Sequence, residues 1–378
     1  MSQRPLILHV IHHLVMGGME NGLVNLINAM PESGYRHAIV CIEDFNSFRQ
    51  RIARPDVEVV PLHRSRIGVW KLRSRLYRLC RQLRPSLLHS RNLSGLDAVF
   101  PARAAGVRRC VHGEHGWDVD NLDGRKWKPA LLRRVHAPLI DRFITVSKDL
   151  ERFLMTRIGI SGTRITQIYN GVDTNRFAPA AAKPLEWLPP AFRGEDQILI
   201  GAIGRIQPVK DHETLVRAFA RLLQAQPALR ERLCLTVVGD GPLLENVRAL
   251  ATSLGISDRA WFPGALNNVP EVLRSLDVFV LPSLMEGISN TVLEAMASGL
   301  PVLATGVGGN LELVEDGRSG RLFEPRNVEA LAAVLGDYAS QPEMRRRQGI
   351  EARRLAEERF SLAAMVRQYT AVYDGLCS

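Results

Sequence analysis

The feature that most constrains the fold of this chain is a regular alternation of two kinds of segment. Short runs of apolar and β-branched residues alternate with longer segments whose apolar residues recur at helical spacing. Strands that alternate with helices form parallel sheets covered by helices. The predicted strands fall into two groups: Leu6–His12, His37–Ile42, Val57–Pro61, Leu87–His89, Cys110–His112, Phe143–Val146 and Ile165–Ile168, then Ile198–Ile203, Leu233–Val238, Trp261–Phe262, Val278–Leu281, Val302–Ala304 and Arg321–Phe323.

Helical patterns occupy the stretches between the strands: Glu20–Met30, Val69–Leu83 and Lys148–Ile158, then His212–Gln224, Leu243–Leu254, Thr291–Ser298, Val328–Ala339 and Glu343–Phe360. A Pro/Ala-rich stretch without periodicity, residues 179–196, predicts a linker. We therefore predict an α/β fold with doubly wound domains at residues 1–178 and 197–360, followed by a helix within 361–378. Ligands of such sheets bind beyond the carboxyl ends of the strands, so we expect the site in a cleft between two facing domains.

The composition is that of a soluble globular protein, with 46% hydrophobic and 23% charged residues. The longest apolar runs fall far short of the roughly 20 residues of a membrane-spanning helix, and the first residues lack the pattern of a signal peptide. The five cysteines are scattered without a CxxC pair, which argues against a disulfide framework or a structural zinc site. We therefore expect a reduced, cytoplasmic protein.

The net charge of +10 is unevenly distributed. Residues 1–183 carry 29 Lys and Arg against 15 Asp and Glu, whereas residues 184–378 carry 20 against 24. Such asymmetry suggests an anionic partner for the first half. Nucleic acid has no motif support here, which leaves an anionic substrate or an anionic membrane surface.

The basic charge is concentrated in a segment that ends at Arg91: Arg64, Arg66, Lys71, Arg73, Arg75, Arg78, Arg81, Arg84 and Arg91. Apolar residues at helical spacing over 69–83 predict an amphipathic helix with a basic outer face. One interpretation is a packed helix with a solvated face. The other is docking onto an anionic membrane through Arg73, Arg78 and Arg81, with Trp70 or Trp127 at the level of the lipid headgroups.

The segment from Leu281 to Pro301 carries the strongest chemical signal. Ser289 suits the N-cap of a helix, and the amides of Ser289 to Thr291 together with the helix dipole would favour a phosphate there. Glu294, one turn further on, can accept two hydrogen bonds from a vicinal diol such as a ribose. Glu286 precedes the helix, near whatever is attached beyond the phosphates. The alternative is an ordinary strand–helix unit with a capping serine and exposed acids.

Other residues suit a diphosphate ligand. Arg205 supplies a forked donor and Lys210 a compact cation on one loop. The glycines at 306, 308 and 309 would let backbone amides approach phosphates closely. The alternative for Arg205 and Lys210 is a solvated surface pair. The alternative for the three glycines is a plain tight turn. No acidic pair indicates a divalent metal site.

Two glutamates separated by seven residues, in Glu286-Gly followed by Leu293-Glu-Ala-Met-Ala-Ser-Gly-Leu-Pro301, resemble the signature of the retaining glycosyltransferases of GT-B fold, family 4. The resemblance covers nearly the whole chain. It extends to Gly17–Glu20, Gly113–Asp118, Tyr169–Phe177, Gly204–Asp211, Val238–Pro242 and Pro301–Asn310. Within the family the chain most resembles sugar transferases of bacterial exopolysaccharide clusters associated with exosortase systems. Ile288-Ser289, Asn21 and Leu311 depart from the common pattern, which leaves the identity of the donor open.

The resemblance implies an enzyme that moves a sugar from a UDP- or GDP-sugar to a saccharide or polyprenyl-linked saccharide with retention of anomeric configuration. It implies that the reaction needs neither a metal ion nor a cofactor. It also implies that the last helix of the chain crosses back to the first domain. It implies catalytic roles for His115, Glu286, Arg205 and Lys210. Implied donor-binding residues also include Gly17, Gly18, Gly239, Asp240, Gly287, Ile288, Ser289, Asn290, Thr291 and Glu294, and the acceptor side includes Trp117 and Asp118. A nucleotide-sugar epimerase and a non-catalytic binding module remain alternatives.

Overall fold

A computed structural model describes residues 4–117 and 125–377. The chain forms two compact units. The first contains Met1–Gly171 together with Leu362–Ser378, and the second contains Val172–Ser361. The chain therefore leaves the first unit once and returns to it for its last helix.

A seven-stranded parallel sheet forms the centre of the first unit. Its strands are β1 (Leu6–Ile11), β2 (Arg36–Cys41), β3 (Glu58–Pro61), β4 (Leu87–Arg91), β5 (Arg109–Glu114), β6 (Arg142–Thr145) and β7 (Ile165–Gln167). The spatial order is β3-β2-β1-β4-β5-β6-β7. The direction of winding therefore reverses between β1 and β4, which is where open α/β sheets bind ligands.

The helices of the first unit are α1 (Gly18–Ala29), α2 (Arg64–Leu83), α3 (Asn92–Gly95), α4 (Val99–Ala104), α5 (Trp127–His136), α6 (Lys148–Phe153) and, after the second unit, α14 (Leu362–Cys377). Alternate residues of β1 serve opposite faces of the sheet. Leu8 and Val10 pack in the core that contains the apolar side of α2, whereas Ile7 packs in the core that contains α14. Both faces are thus covered, as the continuous apolar runs of the strands require.

Helix α2 contains a break at Gly68, whose φ of 71° lies in the left-handed region. A glycine adopts this conformation without strain, and regular helix follows from Val69, where the sequence pattern places its start. Leu72, Leu76 and Cys80 then form the buried stripe.

The second unit contains a six-stranded parallel sheet of order β10-β9-β8-β11-β12-β13. Its strands are β8 (Ile198–Ile203), β9 (Leu233–Val238), β10 (Ala260–Gly264), β11 (Val278–Leu281), β12 (Val302–Thr305) and β13 (Gly320–Phe323). Its helices are α7 (His212–Ala225), α8 (Leu244–Ser253), α9 (Val269–Ser275), α10 (Asn290–Ala297), α11 (Asn310–Leu313), α12 (Val328–Ser340) and α13 (Pro342–Arg359). Its winding reverses between β8 and β11.

Two parallel, doubly wound units confirm the predicted fold class. Every predicted strand corresponds to a strand of the structure, with differences of a few residues at the ends. Residues 179–196, predicted as a linker, fall within the second unit, where Leu188 and Phe192 are buried. The last helix belongs to the first unit, in which it packs near α1 and β4.

Candidate functional site

The loops that follow β8 and β11 bring several predicted site residues together at the switch point of the second sheet. Arg205 is exposed on the loop after β8, and Glu286, which is 9% exposed, lies on the loop after β11. The Leu284 amide donates to the Val209 carbonyl at 2.8 Å and joins the two loops. Two segments whose contacting residues, Lys210 and Glu286, are 76 positions apart in sequence therefore form one surface.

Lys210 and Glu286 form an ion pair at this surface. The Lys210 Nζ atom lies 2.5 Å from Glu286 Oε1, and both side chains are largely shielded from solvent. The sequence predicted both residues for the site but not their contact. A cation held against a carboxylate at the carboxyl end of the central strands can contact phosphate and sugar oxygens together.

Glycines allow these loops to contact each other closely, because a side chain would not fit at the contact points. A Cβ atom at Gly239 would lie 1.8 Å from the Gly204 carbonyl oxygen, and one at Gly309 would lie 1.7 Å from that of Gly287. Real Cβ contacts never approach so closely, and the Gly309 amide also donates to the Glu286 carbonyl at 3.2 Å. From the sequence, the glycines at 306, 308 and 309 are predicted to let backbone amides approach phosphates. The structure shows that Gly309 serves contact between loops.

Helix α10 begins as its sequence predicts. The Ser289 hydroxyl accepts a hydrogen bond from the Val292 amide at 3.4 Å and caps the helix. Asn290 and Thr291 form its first turn, and Glu294 follows one turn later, half-buried. Ile288 is buried beneath Gly309. The helix thus directs its amino end, the positive end of its dipole, toward the Glu286 loop.

The Gly239-Asp240 segment closes the other side of the loop after β8. Asp240 Oδ1 accepts a hydrogen bond from the Gly241 amide at 2.7 Å, and its carbonyl accepts one from the Ile206 amide at 2.9 Å. Asp240 therefore shapes the turn that borders Arg205.

In the first unit, predicted site residues follow the carboxyl ends of β1 and β5. Gly17 precedes α1 and Gly18 begins it, while His115 follows β5 directly. The Asn92 Oδ1 atom accepts a hydrogen bond from the His115 amide at 2.8 Å. Asn92 has a φ of 51°, which asparagine tolerates better than most residues. Asn92 thus anchors His115, a contact that the sequence analysis missed.

His115 is held as an uncharged imidazole. Burial, and then the positive charge of Arg91, lower the pKa of His115 to about 3. Its Nε2 atom is shielded from solvent and has no hydrogen-bond partner among the described residues. A Cβ atom at Gly113 would lie 2.6 Å from this nitrogen, so only glycine fits beneath the ring.

A buried polar chain runs beside His115. The Ser90 hydroxyl lies 2.9 Å from His112 Nδ1, and His112 Nε2 lies 3.2 Å from Glu114 Oε1. Arg133 donates to both oxygens of Glu114, at 2.6 and 3.0 Å. Burial would raise the pKa of Glu114, but Arg133 and the hydrogen bonds outweigh it and hold that pKa far below its usual range. Sequence reasoning missed this chain.

Arg91 lies in a second buried cluster, which corrects the sequence analysis. From the sequence, Arg91 is grouped with the exposed basic residues of the segment that it ends. In the structure Arg91 ends β4 and is 1% exposed. Its guanidinium contacts His9 and His89, and His89 contacts the hydroxyl of Tyr373 on α14. The signal in the sequence was the polar run at the end of an otherwise apolar central strand.

The basic outer face of α2 is present. Arg78 and Arg81 are exposed, while Arg73 is half-buried and stacks over Trp70 at 5.5 Å from the ring centre. Trp117, predicted on the acceptor side, packs edge-on against Phe153 in the first unit. Asp118 lies outside the described residues.

In residues 4–117 and 125–377, no group of three or more His, Cys, Asp or Glu side chains is placed to hold a metal ion. Within the same residues, no helix combines the length and apolar character needed to cross a bilayer. Metal independence stays a prediction.

Two family models match the chain. The model for glycosyl transferases group 1 matches residues 186–355, and the model for glycosyltransferase family 4 matches residues 16–176. The first therefore covers Arg205, Lys210 and Glu286 in the second unit, and the second covers most of the first unit without α14.

The chain is also similar in sequence to individual curated proteins. The chain is 35% identical over 246 residues to a D-inositol 3-phosphate glycosyltransferase of Streptomyces scabiei, covering 61% of this chain and 54% of that protein. It spans about half the length of the curated relatives of this kind. It is 28% identical over 318 residues to EpsF of Bacillus subtilis, covering 80% and 79% of the two chains.

The fold is also that of a solved structure. HepE of Anabaena, in complex with UDP-glucose, superposes with a TM-score of 0.83 at 20% identity, over 98% of this chain and 99% of that chain. At this identity the likeness concerns the fold alone. The two family models together match most of the chain. Its two doubly wound parallel sheets have the fold of HepE. This protein therefore belongs to the GT-B glycosyltransferases of family 4.

Proposed function

We propose that the protein transfers a sugar from a nucleotide-sugar donor to a hydroxyl of a saccharide or polyprenyl-linked saccharide, with retention of anomeric configuration. The observation that carries the proposal is the convergence of Arg205, Lys210 and Glu286 at the switch point of the second sheet, beside the amino end of α10. Cations, helix amides and a carboxylate are the groups that a diphosphate joined to a sugar requires. HepE, which shares the fold, holds UDP-glucose, so a UDP-sugar is the first donor to test.

The chemistry follows from where charge develops. As the bond between sugar and diphosphate breaks, negative charge grows on the leaving phosphate and positive charge on the anomeric carbon. Arg205, Lys210 and the amino end of α10 would stabilise the leaving group more in the transition state than in the bound donor. Glu286, which contacts Lys210, would orient the sugar hydroxyls, and Glu294 would bind the ribose. The first unit would bind the acceptor, with His115 on the sugar side.

The test combines donor screening with kinetics. Purified protein is offered UDP- and GDP-sugars with saccharide acceptors, and the product anomers are assigned by NMR. Arg205→Ala and Lys210→Ala should each lower kcat by on the order of 10²–10³-fold, more than they raise the donor KM. Arg217→Ala on α7, which removes an exposed ion pair with Glu213, is the control and should leave kcat unchanged.

Each other outcome has a definite meaning. Parental kcat in both alanine variants would remove the two cations from the mechanism, and an inverted product would overturn retention. Epimerised nucleotide sugar formed without an acceptor would assign the chain to the epimerases. Donor binding without turnover on any acceptor would leave a binding module.

We further propose a role in bacterial exopolysaccharide or cell-surface glycan synthesis at the cytoplasmic face of the membrane. The sequence resemblance to transferases of exopolysaccharide clusters supports the role. Deletion of the gene should remove one sugar from the surface polysaccharide, and complementation with the Lys210→Ala variant should fail to restore it. An unchanged polysaccharide composition would refute the role.

The surface of the first unit supports docking on an anionic membrane. Helix α5 buries polar side chains and exposes apolar ones. Arg133 and His136 are buried. The exposed side chains are Trp127, Leu131 and Val135, at 67%, 49% and 51%. Residues 64–91 and 125–140 contain Lys and Arg but no Asp or Glu. An apolar stripe beside acid-free basic segments suits the interface of an anionic bilayer.

Sedimentation with vesicles tests this docking. Reversing the charge of Arg73, Arg78 and Arg81 together should abolish binding to anionic vesicles, because each basic residue contributes about 1 kcal/mol near such a surface. Replacing Trp127 and Leu131 by Ser should weaken binding while leaving the charge intact. Reversal of exposed Arg346 and Arg347 on α13 is the control. Parental binding by both the triple and the double variant would refute docking.

A further inference from the structure

The ion pair of Lys210 and Glu286 places a carboxylate against a cation that the proposed function assigns to the diphosphate. Lys210 Nζ lies 2.5 Å from Glu286 Oε1, and the two side chains are 22% and 9% exposed. A phosphate that binds Lys210 therefore meets a negative charge already in contact with it. Like charges repel most strongly where solvent is largely excluded. The pair opposes phosphate binding, and its presence at this site needs a further explanation.

The loops hold the two partners of the pair in place. The Leu284 amide donates to the carbonyl of Val209, directly before Lys210, at 2.8 Å, and the Gly309 amide donates to the carbonyl of Glu286 at 3.2 Å. The backbone on each side of the pair is thus tied to a neighbouring loop. Lysine has a flexible four-carbon stem with three rotatable donors. A ligand can therefore draw the Lys210 ammonium away from Glu286 by side-chain rotation, while the loops stay where they are.

Glu286 needs a new partner whenever Lys210 turns to a ligand. Its side chain is 9% exposed, and a shielded carboxylate that loses its cation is costly unless hydrogen-bond donors replace that cation. A nucleotide sugar brings such donors, because the hydroxyls of its sugar follow directly after the diphosphate. A nucleoside diphosphate has no sugar at that end. The donor can therefore satisfy Lys210 and Glu286 together, whereas the nucleoside diphosphate product cannot.

The donor and the product also differ in charge. In a nucleotide sugar the second phosphate is linked on both sides and carries a single negative charge. After transfer the same phosphate is terminal, and its second ionisation has a pKa of about 6, so it gains most of a further negative charge at pH 7. The product is therefore the more anionic ligand at the end that Lys210 would hold. The Glu286 carboxylate repels it more strongly than it repels the donor.

We propose that Glu286 is a specificity-determining residue that lets Lys210 hold a nucleotide sugar but weakens its hold on the nucleoside diphosphate product. With donor bound, the sugar hydroxyls donate to Glu286 and leave Lys210 to the diphosphate. Once the sugar has been transferred, Glu286 loses these donors and takes Lys210 back. The inference deepens the proposed function and rests on the place given there to the diphosphate.

This exchange of partners suits turnover. Release of product limits the rate of many enzymes, and cations that stabilise a leaving phosphate in the transition state also retain it afterwards. A carboxylate that competes for one of these cations weakens the product complex. It does not withdraw Lys210 from the transition state, because the sugar hydroxyls still occupy Glu286 at that stage. The pair therefore favours both bond breakage and release.

Calorimetry with UDP and UDP-glucose, in the absence of an acceptor, tests the proposal. The parent protein should bind UDP-glucose more tightly than UDP. Glu286→Gln keeps the size of the side chain and removes its charge. In this variant UDP affinity should rise by about tenfold or more, and UDP-glucose affinity should change by less than about threefold. Glu286→Asp retains the charge and should keep UDP binding weak. GDP and GDP-mannose replace the uridine ligands if these do not bind.

The sign of the change separates this role from a structural one. If the pair merely held the two loops together, Glu286→Gln would weaken the binding of both ligands. UDP affinity that is unchanged or lower in a folded Glu286→Gln variant would therefore overturn the proposal. Tighter binding of UDP than of UDP-glucose to the parent would overturn it even if the variants do not fold.

Glu213→Gln is the matched control. Glu213 lies on α7, shortly after Lys210 in the sequence, and it pairs with Arg217 at 4.0 Å. Its replacement also removes one negative charge near the loop and should leave both affinities unchanged. An equal gain of UDP affinity in Glu213→Gln and Glu286→Gln would mean that net charge governs binding, and the role of the contact with Lys210 would be refuted.

Product inhibition supplies a second measurement. The inhibition constant of UDP against the donor should fall by about tenfold or more in Glu286→Gln, and an unchanged constant would contradict the proposal. The inference and the proposed function fail in different ways. If none of the four nucleotides binds, the proposed function is refuted, and this inference with it. If the nucleotides bind with the same preference in the parent and in Glu286→Gln, the inference alone is refuted.

Discussion

Removing Arg133 should destabilise the first unit strongly, because it would leave the Glu114 carboxylate buried without its cation. The side chains of Glu114 and Arg133 are 1% and 4% exposed, and two hydrogen bonds join them. Breaking a buried pair on one side costs about 3–5 kcal/mol. His112 Nε2 still lies 3.2 Å from Glu114 Oε1, so the carboxylate keeps one polar contact in the variant. We therefore expect Arg133→Met to lose about 3 kcal/mol at pH 7, near the lower end of that range.

Hydrogen exchange of β5 measures this loss locally, which is preferable in a protein with two units. Amides of β5 that exchange through unfolding should exchange roughly 100-fold faster in Arg133→Met, since about 1.4 kcal/mol corresponds to a factor of ten. The double variant Glu114→Gln with Arg133→Met removes both charges and should recover most of the loss. Arg64→Met, which breaks a half-exposed pair with Asp97, is the control and should lose at most about 1 kcal/mol.

The pH dependence provides an independent check. In the parent the pKa of Glu114 is lowered on folding, so its contribution is present above the unfolded value of 4.5 and is lost as the pH falls below it. In Arg133→Met that pKa should be raised instead, so the gap between variant and parent should narrow from pH 7 to pH 5. Exchange rates within a few-fold of the parent, or a double variant as unstable as the single one, would refute the reasoning.

Three further predictions concern the second unit. Gly309→Ala should weaken UDP binding at least tenfold in calorimetry, because its Cβ would displace the Gly287 carbonyl, whereas Gly306→Ala meets its nearest neighbours at 3.8 Å and should bind as the parent does. Glu294→Ala should lose roughly 1.5–3 kcal/mol of UDP affinity for each hydrogen bond to the ribose; unchanged affinity in a folded variant would exclude that contact. Transfer should continue in EDTA, and activity that returns only with Mg²⁺ or Mn²⁺ would contradict metal independence.

The sequence predicted the sheets well because the strands form short apolar runs, and the central strands β1, β4, β8 and β9 are buried along their whole length. It also predicted two groups of residues that the structure places on neighbouring loops, since Arg205 to Lys210 and Glu286 to Glu294 are two contiguous segments in which spacing along the chain reflects proximity in space. The contact between Lys210 and Glu286 was not predictable in this way, because it joins the two segments.

The buried chains of the first unit escaped prediction for a related reason. Ser90, His112, Glu114 and Arg133 come from two strands and a helix, and nothing in their spacing indicates that they touch. Arg91 was grouped with its basic neighbours because counting charges along the chain does not distinguish a solvated helix from the end of a central strand. A polar run at the carboxyl end of a strand beside the switch point indicates a position near the ligand-binding edge of the sheet, which a count of charges does not reveal.

The position of α14 has a consequence for synthesis of the chain on the ribosome. Tyr369 and Tyr373 belong to the interior of the first unit, yet they are translated after the whole of the second. At about 5–20 residues per second, residues 172–361 take roughly 10–40 s to emerge. Throughout that interval the nascent first unit lacks the helix that covers one face of its sheet, with His89 and Arg91 beneath it. The first unit, although its first 171 residues are made before the second, therefore cannot complete its packing until α14 has emerged, and until then it depends on chaperones or on its own partial stability.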